Sequence, residues 1–179
     1  CLAQDPRVYS DSLPERPPVT KRALGLDIGT NCGVAFSDFV PRSKIVDQPM
    51  IIGQWDLSIG PWDSGPLRHV RLKQFLNILQ PDLILYEEVK YDAPVRPGMG
   101  PGAIVARIAS AAEFIGGLKS TLVVWAAEHG IPIQGVPIAT IKKFATGKGN
   151  AGKPDMIKAA NEKFGINLDP EDYEKTGVD

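Results

Sequence analysis

The chain has 179 residues, 43% of them hydrophobic and 23% charged, which is ordinary for one globular domain with a substantial core. Twenty Lys and Arg stand against 21 Asp and Glu, a formal net charge of −1, so the basic balance of a simple nucleic-acid binder is absent. Two cysteines and two histidines exclude a disulfide framework and a Cys/His zinc cluster, no secretory signal opens the chain, and the lack of an unbroken apolar run of about 18 residues predicts no membrane span.

Residues 1–21 carry Pro6, Pro14, Pro17 and Pro18 among mixed charges and read as an extended arm, because proline interrupts both helices and ladders. A start at Cys1 rather than Met reads as a fragment or processed form, and the sparse cysteines suit a reducing, intracellular compartment. The globular domain is expected over 22–179. Ala23–Ile28 and Gly33–Phe36 are apolar runs around a glycine-containing loop, the mark of a hairpin, and a third strand is expected near Ile45–Trp55. Over Pro66–Gln80, Leu67, Val70, Leu72, Phe75, Leu76 and Leu79 recur near helical period, and Pro81 ends the pattern. Asp82–Glu87 is a compact apolar run closing in carboxylates, which suits a buried strand.

A Pro/Gly loop over 93–102 precedes a long helix expected at Ala103–His129 and stopped by Gly130. Its stripe of Ile104, Ile108, Ala111, Ile115, Leu118, Leu122 and Trp125 reads as a core face rather than a dimer seam. Ile131–Val136 predicts another buried strand, and Thr140–Thr146 and Pro154–Phe164 predict helices around the Gly147–Gly152 loop. This succession is a mixed α/β layer pattern in one domain.

Asp27 ends the first strand against a Gly-Thr turn, and Glu87 and Glu88 close the Leu83–Tyr86 run. Strand ends along one edge of a sheet can bring such carboxylates together. A carboxylate cluster repels itself unless a hard cation neutralises it, and oxygen ligands suit Mg²⁺. The alternative is that Asp27 caps its turn and the glutamates are solvated; spacing alone does not choose. The neutral total also conceals an asymmetry. Residues 140–165 hold Lys142, Lys143, Lys148, Lys153, Lys158 and Lys163 against Asp155 and Glu162, whereas 166–179 hold five acids against Lys175. Lysines are commonly a solvated helical face, but the interleaved glycines here favour contact with a phosphate backbone. Gly147–Lys153 has P-loop spacing, yet Pro154 supplies no hydroxyl for Mg²⁺ and the preceding segment reads as a helix, so no nucleotide cofactor is expected. Leu26–Asn31 also resembles the phosphate hairpin of the sugar kinase, Hsp70 and actin superfamily, but no second such hairpin follows.

Three segments in order resemble the RuvC family of Holliday junction resolvases, of the RNase H-like (retroviral integrase) superfamily, and most of all its phage-encoded variants. They are Leu24–Ala35 with Asp27, Leu85–Val89 with Glu87, and Pro137–Lys143 with Gly147–Lys153. The resemblance implies an α/β, RNase H-like fold, with a central mixed five-stranded sheet (three antiparallel then parallel strands) flanked by helices. It implies a Mg²⁺-dependent endonuclease with two ions per site, Mn²⁺ being an acceptable substitute, that cuts branched DNA as a homodimer. Asp27 and Glu87 would be metal ligands and Lys153 a catalytic lysine. Glu88 matches a non-catalytic polar position. Asp179 matches the first of two further acids, and the helix that carries them is expected to be missing from this chain. Lys142, Lys143, Lys148 and Lys153 would contact the DNA backbone. Tyr91 and Arg96 are candidates for contact with bases, and ordinary half-buried packing is an equal reading for Tyr91. Two other functions stay open: an RNA-processing nuclease of the YqgF type, and a non-catalytic junction-binding module.

Overall fold

The computed structural model describes residues 20–41, 50–88, 98, 100–165 and 167–168. Alternation sets the first strand: in β1 (Lys21–Asp27) Arg22, Leu24 and Leu26 are buried while their neighbours are less so. The strand starts two residues before the expected Ala23–Ile28 run because Lys21 already pairs with Phe39. β2 (Asn31–Phe39) returns antiparallel, placing Asp27 opposite Gly33, and β3 (Ile51–Asp56) adds antiparallel to β2. α1 (Leu67–Leu79) buries Leu72, Leu76 and Leu79 and closes on Gln80, in the left-handed region at φ 47°, just before Pro81. β4 (Leu83–Glu88) then runs parallel to β1.

α2 (Pro101–Glu128) begins two residues earlier than expected. Proline is tolerated in a first turn, where its missing N–H has no partner to lose. β5 (Ile133–Pro137) lies parallel to β4, followed directly by α3 (Ile138–Thr146) and then α4 (Lys153–Phe164). The sheet order is β3-β2-β1-β4-β5, three antiparallel strands followed by parallel ones, which is the expected topology. One face is covered: Leu24, Leu26, Val34, Phe36 and Ile84 pack with Leu72 and Leu76 of α1 and Leu118, Leu122 and Trp125 of α2. Arg22 is buried beneath this layer, satisfied by Asp38 at 2.6 and 2.7 Å and by the Leu79 carbonyl at 3.1 Å. Cys32 is fully buried, and burial pushes its thiol pKa up to about 12.

Three expectations need correction. β5 is an edge strand with no fully buried residue, because only β4 pairs with it. The α2 stripe is divided: Leu118, Leu122 and Trp125 are core, but Ile104, Ile108 and Ala111 are only half-buried and Val105 is 66% exposed. Helical period identifies an apolar face but not the length over which something covers it. Finally, α2 is long and apolar enough by composition to cross a membrane, with mean hydropathy 1.2 over an 18-residue window. Counting only unbroken apolar runs missed it, because scattered polar residues barely lower a window average. Its last turns nevertheless pack into the core described above.

Candidate active site

The site is built at the edge of the sheet where β1 and β4 end. Their pairing ends with Leu26 opposite Tyr86, so the next residues on each strand are Asp27 and Glu87. Adjacent parallel strands are spaced about 4.8 Å apart, and residues at matching positions share a face. Leu26 belongs to the core face, so Asp27 and Glu87 fall on the opposite one, alongside Gly25 and Leu85. Two residues sixty positions apart thereby become neighbours for a purely topological reason: a parallel crossover returns the chain to the same edge.

Electrostatics confirms the proximity. The pKa of Asp27 is raised by loss of hydration. That of Glu87 is raised first by burial and then by the negative charge of Asp27, while Lys142 acts in the opposite direction. Lys142 reaches this neighbourhood because α3 starts immediately after β5, whose Val136 lies opposite Glu87. Among the described residues, neither Asp27 nor Glu87 receives a hydrogen bond or a close ion pair. Space is kept open here: a Cβ on Gly33 would stand 3.3 Å from the Asp27 Cβ and 4.0 Å from its Oδ2. Larger residues at position 33 would crowd the carboxylate. Glu88, one residue farther, is exposed at the strand end, opposite Pro137.

Asp27, Glu87 and Lys142 are thus brought together. Lys143 and Lys148 are exposed on α3 and the following loop, and Lys153 is the exposed first residue of α4. The lysine-rich patch is less uniformly basic than its composition: Lys158 lies 3.9 Å from Glu162, and Lys163 donates to the Phe144 carbonyl at 3.2 Å. Tyr91, Arg96 and Asp179 lie outside the described residues. Among the described residues, no group of three or more His, Cys, Asp or Glu is gathered as a metal site. The two carboxylates still fit hard-cation chemistry, being mutually repelling oxygen donors, without a hydrogen-bond or close ion-pair partner among the described residues, beside a glycine that leaves room. Sequence reasoning missed two features. One is the clearing made by Gly33, which needs the register to be seen. The other is Tyr86, whose hydroxyl would lie 2.9 Å from a Cβ at position 135, so that only Gly135 admits the ring.

Neither a protein-family profile nor a curated protein sequence matches the chain. Solved structures do. The chain resembles Thermus thermophilus RuvC with a TM-score of 0.57 at 17% identity, covering 83% of each chain. It resembles the same protein in complex with Holliday junction substrate with a TM-score of 0.60 at 18% identity, covering 84% of this chain and 83% of that one. At this identity the likeness establishes the RuvC-type, RNase H-like fold.

Proposed function

We propose that the chain is a metal-dependent endonuclease that cuts branched DNA, four-way junctions included. The observation that carries the proposal is the coupling of Asp27, Glu87 and Lys142 at one sheet edge of a RuvC-type fold. A RuvC of this fold has been captured on Holliday junction substrate, which supports the substrate class. Asp27 and Glu87 would hold Mg²⁺, two ions per site with Asp179 as a further ligand, and Mn²⁺ would substitute. Bound there, such ions lower the pKa of an attacking water and stabilise the leaving 3′ oxygen. The protein's own groups do the rest. The two carboxylates would hold the ions, while Lys142 and Lys153 would offset charge growing on the phosphoryl oxygens. Lys143 and Lys148 would hold the backbone in register without reading sequence. Hydrolysis leaves a 5′-phosphate and a 3′-hydroxyl.

Resolution of a junction needs two matched cuts, which an isologous dimer supplies. The second copy of this chain would cover the half-buried Ile104, Ile108 and Ala111 and the exposed Val105 of α2. A second reading, a junction-binding module without catalysis, draws on the finding that only two acids meet among the described residues. Incubating the protein with four-way junction, duplex and RNA in Mg²⁺ separates the readings. The endonuclease makes paired symmetric nicks in the junction, and Asp27→Asn or Glu87→Gln lowers their rate by at least about 100-fold, as loss of key transition-state stabilisation does. Cutting by Asp27→Asn at the wild-type rate would overturn the proposed site. Binding without cutting by the wild type would select the module, and preferential cutting of RNA would move the substrate to RNA.

A further inference from the structure

Tryptophan normally sits inside, and two of the three obey: Trp55 is 5% and Trp125 3% exposed. Trp62 is 97% exposed. It lies in the connection between β3 and α1, a segment with no helix or strand of its own. That segment is nonetheless tied down. Leu57 is fully buried at its root, and the Ser58 N–H donates to Asp56 Oδ1 at 2.9 Å. Arg71 donates to the Ser58 carbonyl and to Asp63 Oδ2, and the same oxygen accepts from the Gly60 N–H at 2.8 Å. The Asp63 N–H closes the tip on the Gly60 carbonyl at 3.1 Å. The indole is therefore held out on a braced support, and holding it there forgoes the burial of about 150–250 Å² of aromatic surface.

The loop also stands beside the site. Its root residue Leu57 donates to the Thr30 carbonyl at 2.8 Å, and Asp56 lies opposite Asn31 at the start of β2. It leaves the same sheet edge at which Asp27 ends β1, two strands or roughly 10 Å across the ladder. We propose that Trp62 is a stacking platform for an unpaired nucleobase of the strand led into the Asp27–Glu87 edge, a role that rests on the nuclease reading above. The surroundings favour a base over a protein partner. In sequence Trp62 is flanked by Gly60, Pro61, Asp63, Ser64 and Gly65, with Ile59 the neighbouring exposed aliphatic at 36%. One flat ring in a polar frame matches a single π-face, whereas a protein interface buries on the order of 800 Å² per partner around an apolar centre. The loop's acids do not repel a phosphodiester unopposed, since Asp63 is paired with Arg71 and Asp56 is engaged by the Ser58 amide.

The test uses the full chain with Ca²⁺ in place of Mg²⁺, to measure binding of labelled DNA without cutting. Substrates are a four-way junction carrying unpaired thymines and an intact duplex. Trp62→Leu should weaken junction binding by roughly 5- to 150-fold, the span of one lost base stack, while Trp62→Phe retains most of the affinity and duplex binding stays unchanged. Its thermal unfolding should match the wild type, because an exposed side chain carries no core packing. Junction DNA should also quench wild-type tryptophan fluorescence and leave that of Trp62→Phe unaffected. Wild-type junction affinity in Trp62→Leu would overturn the stacking role alone, as would an equal loss on duplex. A changed oligomeric state with unchanged DNA affinity would assign the indole to a protein contact instead. If the wild type binds and cuts no nucleic acid, the nuclease reading fails and takes this role with it.

Discussion

Asp27 and Glu87 in their charged forms weaken the free protein, and their titration shows the sign. Each has a folded-state pKa above its ordinary value of 3.8 or 4.5, raised chiefly by burial. The folded state therefore binds protons more tightly than the unfolded one, and stability is lost as pH rises from the ordinary values through the raised ones. In chelator, above the raised values, the two charges oppose each other and the fold, so Asp27→Asn and Glu87→Gln should each unfold at a higher temperature than the wild type. Near pH 4 the difference should shrink. On the proposed reading Mg²⁺ would reverse the balance: at about 100 times its Kd it should add about 2.7 kcal/mol to the wild type at pH 7. The Asn and Gln variants should lose that response. Calorimetry across pH 4–8 with and without Mg²⁺ measures both effects, and a wild type indifferent to the ion would remove the cation from this site.

At the scale of elements, two contacts hold the edge in shape. Arg22 couples β1 to β2 through Asp38 and to the end of α1 through the Leu79 carbonyl. Removing one partner of a buried ion pair leaves the other charged and unpaired, so Arg22→Ala should cost about 3 kcal/mol in denaturant unfolding. The second contact is the seating of Tyr86 against Gly135, which aligns β4 with β5 one residue before Glu87. A methyl group at position 135 meets the ring at 2.9–3.2 Å, too close to stand. Gly135→Ala should therefore cost about 1–3 kcal/mol. The same change in a Tyr86→Leu background should cost less, a coupling that a double-mutant cycle reads directly. Equal costs in both backgrounds would show that the glycine is needed for its backbone and not for the ring.

For the whole molecule, legibility followed the range of the physics. The Asp27 hairpin was readable because its apolar runs and turn are contiguous, and α1 because Leu72, Leu76 and Leu79 repeat at helical spacing. The meeting of Asp27 and Glu87 could be anticipated only as strand ends on a shared edge; the register that makes them neighbours is set by the whole sheet. Arg22 and Trp62 carried no local signal, since burial of a cation and exposure of an indole are decided by tertiary context. The divided face of α2 is the largest case. A fully covered helix would bury Ile104, Ile108 and Ala111 as it buries Leu118 and Leu122, and among the described residues it does not. If a second copy supplies the missing cover, an added charge there should separate the copies while leaving each site intact. Val105→Asp, at a position 66% exposed, should fold with near-wild-type stability yet sediment as a monomer. Its junction products should then change in kind: single nicks accumulate, and the paired cut that needs two sites on one junction disappears. Paired cutting by a monomeric Val105→Asp would show that the two-fold symmetry of the reaction comes from the DNA and not from this protein.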